Sequence, residues 1–159
     1  MSRWTRGVVA SGCGLLLMAC SGPVEIDPPD LSADDQEACE SFADDLPATL
    51  NGEKPVETEP KEALGGAYGD PAMAVICGVD VPDGFDAGSE CEEANQVGWY
   101  APPEQYDDQS ADVTIFAVTH RPLVELRLPA EYRPNGLAAA LAELAEPIKR
   151  HLARVQDCV

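Results

Sequence analysis

Residues 72–79, Ala-Met-Ala-Val-Ile-Cys-Gly-Val, carry no polar side chain on either alternating face. Successive side chains of a strand point to opposite sides, so a run that is apolar at every position needs cover on both. The run therefore reads as a strand covered on two sides. Residues 97–100 read as a second strand and 113–118 as a third, again apolar on both faces. In 123–128, Val124, Leu126 and Leu128 fall on one side and Glu125 and Arg127 on the other, the pattern of a half-exposed strand. Thr119-His120-Arg121-Pro122 is short enough to join the last two as a hairpin. Residues 54–70 are rich in Pro and Gly and read as a loop with a short edge strand at 56–58.

Two helices flank these strands. Ser32 followed three residues later by Asp35 resembles a capping box. Cys39, Phe42 and Leu46 then recur at spacings of three and four, and the helix should stop before Pro47. From 135 to about 155, Leu137, Leu141, Leu144, Ile148, Leu152 and Val155 form one apolar stripe, with a kink or break expected near Pro147. Helix, then strands, then helix predicts an α+β fold: a mostly antiparallel sheet of about four strands, packed with a short N-terminal helix and a C-terminal helix.

The N-terminal residues are of another kind. Arg3 and Arg6 precede an apolar stretch from Val8 to Ala19, the layout of a signal peptide. Twelve positions are too few for a spanning helix, which needs about 20 apolar residues. The stretch ends Leu17-Met18-Ala19-Cys20, which resembles a bacterial lipobox; the resemblance implies cleavage before Cys20 and a diacylglyceryl group, with acyl chains of the palmitate type, on its thiol. The alternative is ordinary secretion with Cys20 paired or discarded. Residues 1–19 are therefore read as a lipoprotein signal peptide, 20–35 as a disordered acidic tether carrying Pro23, Pro28 and Pro29, and 36–159 as one globular domain.

Six cysteines less Cys13 of the leader leave five, an odd number in an oxidising compartment. Assigning Cys20 to lipid leaves Cys39, Cys77, Cys91 and Cys158, which can form two disulfides in three ways. A zinc site is disfavoured because neither C-x-x-C nor H-x-x-x-H spacing occurs.

Beyond the leader, eight basic residues stand against 29 acidic ones. A surface so negative repels phosphate backbones, which argues against nucleic-acid binding, and it also repels anionic lipid, so an anchor would hold the domain off the membrane.

Chemistry-bearing motifs are few. The loop 79–90 has glycine at position six and glutamate at position twelve, as an EF-hand does, but Val79 and Val81 occupy positions that require carboxylates, so it reads as a solvated loop. His120 and Arg121 read as exposed turn residues, the alternative being a small anion-binding tip. His151 sits near the end of the last helix, where a cation suits the helix dipole. Trp99 and Tyr100 read as core rather than pocket lining. No G-x-S-x-G or S-x-x-K motif occurs, and pairs such as Asp44-Asp45 and Asp107-Asp108 fit a solvated face. These readings predict no catalytic residue, metal or cofactor.

Ala67-Tyr68-Gly69-Asp70-Pro71, then Ile76-Cys77-Gly78-Val79, Val97-Gly98-Trp99, Val124-Glu125-Leu126 and Leu128-Pro129 together resemble an actinobacterial lipoprotein family, domain of unknown function 3515. The resemblance spans about residues 36–158. The chain departs from the family pattern at Tyr68, where the family has tryptophan, at Ile76, where it has arginine, and at His120, where it has the turn glycine. The resemblance implies pairing of Cys39 with Cys77 and Cys91 with Cys158, a cell-envelope setting and no assigned activity. The function expected is a membrane-anchored binding or accessory module meeting an envelope partner. The alternatives are an envelope hydrolase using carboxylates and a purely structural lipoprotein.

Overall fold

The computed structural model describes residues 22–158 except Pro28 and Ala87. The expected signal peptide, residues 1–19, and the expected lipidation residue Cys20 lie outside the described residues. In chain order the elements are β1 (Val24–Glu25), α1 (Ala33–Asp44), β2 (Pro55–Val56), β3 (Thr58–Glu59), β4 (Gly65–Tyr68), β5 (Met73–Val79), β6 (Glu92–Ala94), β7 (Val97–Tyr100), β8 (Val113–Ala117), β9 (His120–Arg121), β10 (Leu123–Leu128), α2 (Arg133–His151) and β11 (Ala153–Arg154).

The fold is α+β, as expected, but its main sheet is larger than four strands. Seven strands in the order β2-β4-β5-β10-β8-β7-β6 pair antiparallel throughout. The additional strands β2, β4 and β6 are two to four residues long, too brief to show an alternating pattern. The β8–β10 hairpin brings β10 back between β8 and β5, which buries it on both edges.

Register sorts the side chains into two rows. Cys77, Val124, Ala117 and Trp99 lie side by side across β5, β10, β8 and β7 on the face that both helices cover. Here Phe42 of α1 and Ala140, Leu144 and Ile148 of α2 complete a core with Val75, Leu126 and Ile115. One residue on, Ile76, Glu125, Phe116 and Tyr100 align on the opposite face. Glu125 is 8 % exposed and pairs with the exposed Arg127, so that side of β10 is more buried than its alternation suggests.

Local chemistry explains the helix ends. Ser32 Oγ accepts the Asp35 N–H at 3.2 Å, capping α1, and the helix ends at Asp44, three residues before Pro47. The α2 helix starts with Pro134 in its first turn and continues through Pro147 to His151 without the expected break. It ends four residues short of Val155, which is exposed, because residues 153–154 leave the helix to form β11. The Cys39–Cys77 disulfide ties α1 to β5, and both cysteines are fully buried.

Residues 22–35 differ from the expected tether. Val24 and Ile26 N–H groups donate to the Glu57 and Glu59 carbonyls at 2.8 and 3.0 Å, and β1 runs parallel to β3. Ile26 is buried and Leu31 packs on the core. These two apolar side chains hold an otherwise polar segment against the domain. No helix of the described residues is long and apolar enough to cross a membrane.

Close approach of β4 to β5 depends on Gly65, where a Cβ would lie 2.0 Å from the Val75 carbonyl oxygen. Gly65→Ala must therefore push backbone against backbone, and a loss of about 1–3 kcal/mol in urea-unfolding stability is expected. Gly52→Ala is the contrasting control: its site is open, so any loss there comes from its positive φ rather than a clash.

Candidate functional site

Among the described residues, helices cover one face of the sheet. On the other, Tyr100, Phe116, Val118 and Leu123 form a second, smaller core, with Val79, Phe85 and Cys91 packed against it. The cover comes from the 80–91 loop. Phe85 reaches in from this loop and stacks obliquely on Tyr100, with ring centroids 5.0 Å apart.

Irregular chain covers a surface less completely than a helix, and a cleft of about 910 Å³ opens beside Tyr100. One wall is Asp83, Gly84, Ser89, Glu90 and Cys91 of the loop, with Glu92 of β6 beside it. The floor is Tyr100, Ala101 and Pro102, and the far wall is the single 3-10 turn Pro103–Tyr106. The Tyr106 ring is 43 % exposed. Partial burial and the neighbouring Glu92 carboxylate push its phenol pKa above the ordinary value.

Two fasteners hold the walls. Cys91, between Glu90 and Glu92, is bonded to Cys158 of the C-terminal tail. On the far side, Arg133 at the start of α2 is 7 % exposed and donates to the carbonyls of Gln105 (2.7 Å), Asp108 (2.7 Å) and Ala111 (2.8 Å). Its charge is spread over three carbonyl dipoles, and the loop leaving Tyr106 is pinned to the helix. Gln105 in turn accepts the Thr114 N–H at 2.7 Å, fixing the turn to β8.

The tail that carries Cys158 also accounts for His120. Instead of an exposed turn or an anion-binding tip, His120 is 3 % exposed, because β11 pairs over β9. Val155 N–H donates to the Thr119 carbonyl at 2.9 Å, and Gln156 to that of Val118 at 2.9 Å. Arg121 turns back on the carbonyls of Val118 and His120. Thr119 Oγ1 accepts the Gly98 N–H at 2.9 Å and lies 3.0 Å from His120 Nδ1. Burial, with Arg154 and Lys149 nearby, lowers the His120 pKa.

The other sequence candidates scatter. His151 Nε2 lies 3.0 Å from Asp45 Oδ2, and Arg150 pairs with the same oxygen, so the last turn of α2 is tied to the end of α1. Trp99 is core, as its strand pattern suggests, whereas Tyr100 is both buried and part of the cleft floor. The EF-hand-like loop contributes Asp83 and Glu90 to the cleft wall, so it is more than a solvated connection. Among the described residues no group of three or more His, Cys, Asp or Glu is disposed to hold a metal ion. Sequence reasoning missed Glu104 and Tyr106. The available signal was an aromatic ring shortly after Pro102-Pro103, a poor place to bury one.

Fold and site define a small α+β domain closed by two disulfides, with helices on one face of its sheet and a loop-walled cleft on the other. The chain belongs to the family described as protein of unknown function, DUF3515, whose model matches residues 7–156. No curated protein and no solved structure matches it.

The two disulfides should differ in reactivity. Cys39 and Cys77 are fully buried, while Cys91 and Cys158 are half-buried. Mild dithiol reduction of the native protein followed by alkylation should label Cys91 and Cys158 first, with Cys39 and Cys77 labelled only on unfolding, as read by peptide mass spectrometry. A second expectation concerns pH. The unfolded His120 takes up a proton as pH falls through about 6.5, while the native ring resists, so this residue's stability contribution is present above that range and is lost below it. Urea midpoints should fall more steeply from pH 7.5 to pH 5.5 in the native sequence than in His120→Gln.

Proposed function

We propose that this protein is a lipid-anchored binding module on the extracytoplasmic face of a bacterial cell membrane, with the cleft beside Tyr100 as its binding site. The cleft is the observation that carries the binding reading. It is concave, combines apolar and charged lining, and falls within the range of about 300–1,000 Å³ common for small-molecule sites. Its lining includes Ser89 but no histidine or lysine beside it to serve as a base. The anchor reading is supported by Arg3, Arg6 and the Leu17-Met18-Ala19-Cys20 ending, and by the four remaining cysteines forming two disulfides, which suit an oxidising compartment. The family match begins at residue 7, inside the leader. Anchoring through acyl chains on Cys20 would place the negative domain off the anionic surface and leave the cleft free to meet an envelope partner.

Intact-mass measurement of protein extracted from membranes tests the anchor. The expected species begins at Cys20, carries acyl mass and retains both disulfides, and Cys20→Ser should release the protein from the membrane. An unmodified N-terminus would overturn the anchor. A photo-crosslinking residue at Glu104 tests the site in cells: it should trap a ligand more efficiently than one at the exposed Glu37 of α1. Equal yields at the two positions would remove the cleft as the binding site.

A further inference from the structure

Resting on the reading of the cleft as a binding site, the chemistry of its walls narrows what can enter. Asp83, Glu90, Glu92 and Glu104 line it from both sides, and among the described residues no lysine, arginine or histidine lines it. None of the four carboxylates takes part in an ion pair among the described residues. A cleft walled by one sign of charge concentrates ions of the other sign, so anions are excluded and cations drawn in.

The form of the cation follows from how that charge is arranged. A calcium ion takes six to eight oxygens converging on one point. Among the described residues no such grouping of carboxylates exists, so the negative charge is distributed along the walls rather than focused. Tyr100, Tyr106, Pro102 and Pro103 line the same cleft, and Tyr106 stands part-exposed near Glu92. This is a surface for hydrocarbon and for the π-face attraction of an organic cation, which is less strongly hydrated than a metal ion.

We infer that the cleft binds an alkylammonium chain, its methylenes along Tyr106 and the two prolines and its charged nitrogen against the wall carboxylates. The same chemistry is available from a free polyamine or from a lysine side chain of a partner.

Nitrogen-15-labelled protein titrated at constant ionic strength tests this, with spermidine, an acetylated and amidated Gly-Lys-Gly peptide, hexanediol, adipate and calcium chloride as probes. The amines should shift amide resonances of residues 90–92 and 104–106 saturably, while hexanediol and adipate leave them still. Tyr106→Ala and the double change Glu92→Gln with Glu104→Gln should each weaken amine binding about tenfold. Both alter exposed positions, and an unchanged amide spectrum elsewhere verifies the fold. Tighter binding of spermidine identifies a free polyamine as the source, and tighter binding of the peptide a protein side chain. Calcium producing the same shifts at equal charge, or amine shifts unchanged by the variants, would overturn the inference. Shifts from hexanediol or adipate without shifts from the amines would overturn the ligand class but leave the cleft a binding site. Silence from every probe would overturn both.

Discussion

A sheet with apolar side chains on both faces needs two roofs, and the described residues supply helices for only one. Trp99, Cys77, Val75 and Leu126 lie under α1 and α2. Ile76, Phe116 and Tyr100 point the other way and must be covered by whatever chain remains. What remains is loop and tail, segments without internal hydrogen-bond ladders of their own. Such segments fray unless something outside them holds them.

The fasteners answer that need. Cys91–Cys158 closes a long loop, and the chain-entropy account gives a bridge of this separation about 4 kcal/mol. It fixes the 80–91 loop and the tail at one point, so each braces the other. Gly98 belongs to the same junction: a Cβ there would lie 2.5 Å from Cys158 Sγ and from a Thr119 methyl carbon. Arg133 performs the matching task at the far wall through three backbone carbonyls. The cleft is then the space between two fastened but irregular covers.

What the sequence revealed and what it concealed divide along the same line. Elements with periodicity were readable: the Cys39 and Phe42 stripe, the Leu137 to Ile148 stripe, and the strands around Val75, Trp99, Ile115 and Leu126. The two-sided run at 72–79 correctly demanded cover on both faces, but a one-dimensional pattern does not say what the second cover is. His120 looked like a turn residue because the strand that buries it, Ala153–Arg154, lies some thirty residues further on. Ile26 was hidden among prolines and acids for a similar reason, since its partner strand is Thr58–Glu59. Glu104 and Tyr106 sit in a single 3-10 turn, which leaves no repeat to read.

The distribution of charge follows from this architecture as well. Beyond residue 19 the chain has eight basic residues, and most are engaged by partners within the chain. Arg121 and Arg133 donate to carbonyls, Arg127 pairs with Glu125, Arg150 with Asp45, Lys149 with Glu146, and Arg154 with Asp157. Cations occupied in this way leave little to neutralise the acidic remainder. The cleft walls are among the places left negative, and their concavity strengthens the local field while solvent screens the convex surface around them. Scarcity of basic residues and an irregular second roof thus produce, from one sequence, a negative cleft with an aromatic floor.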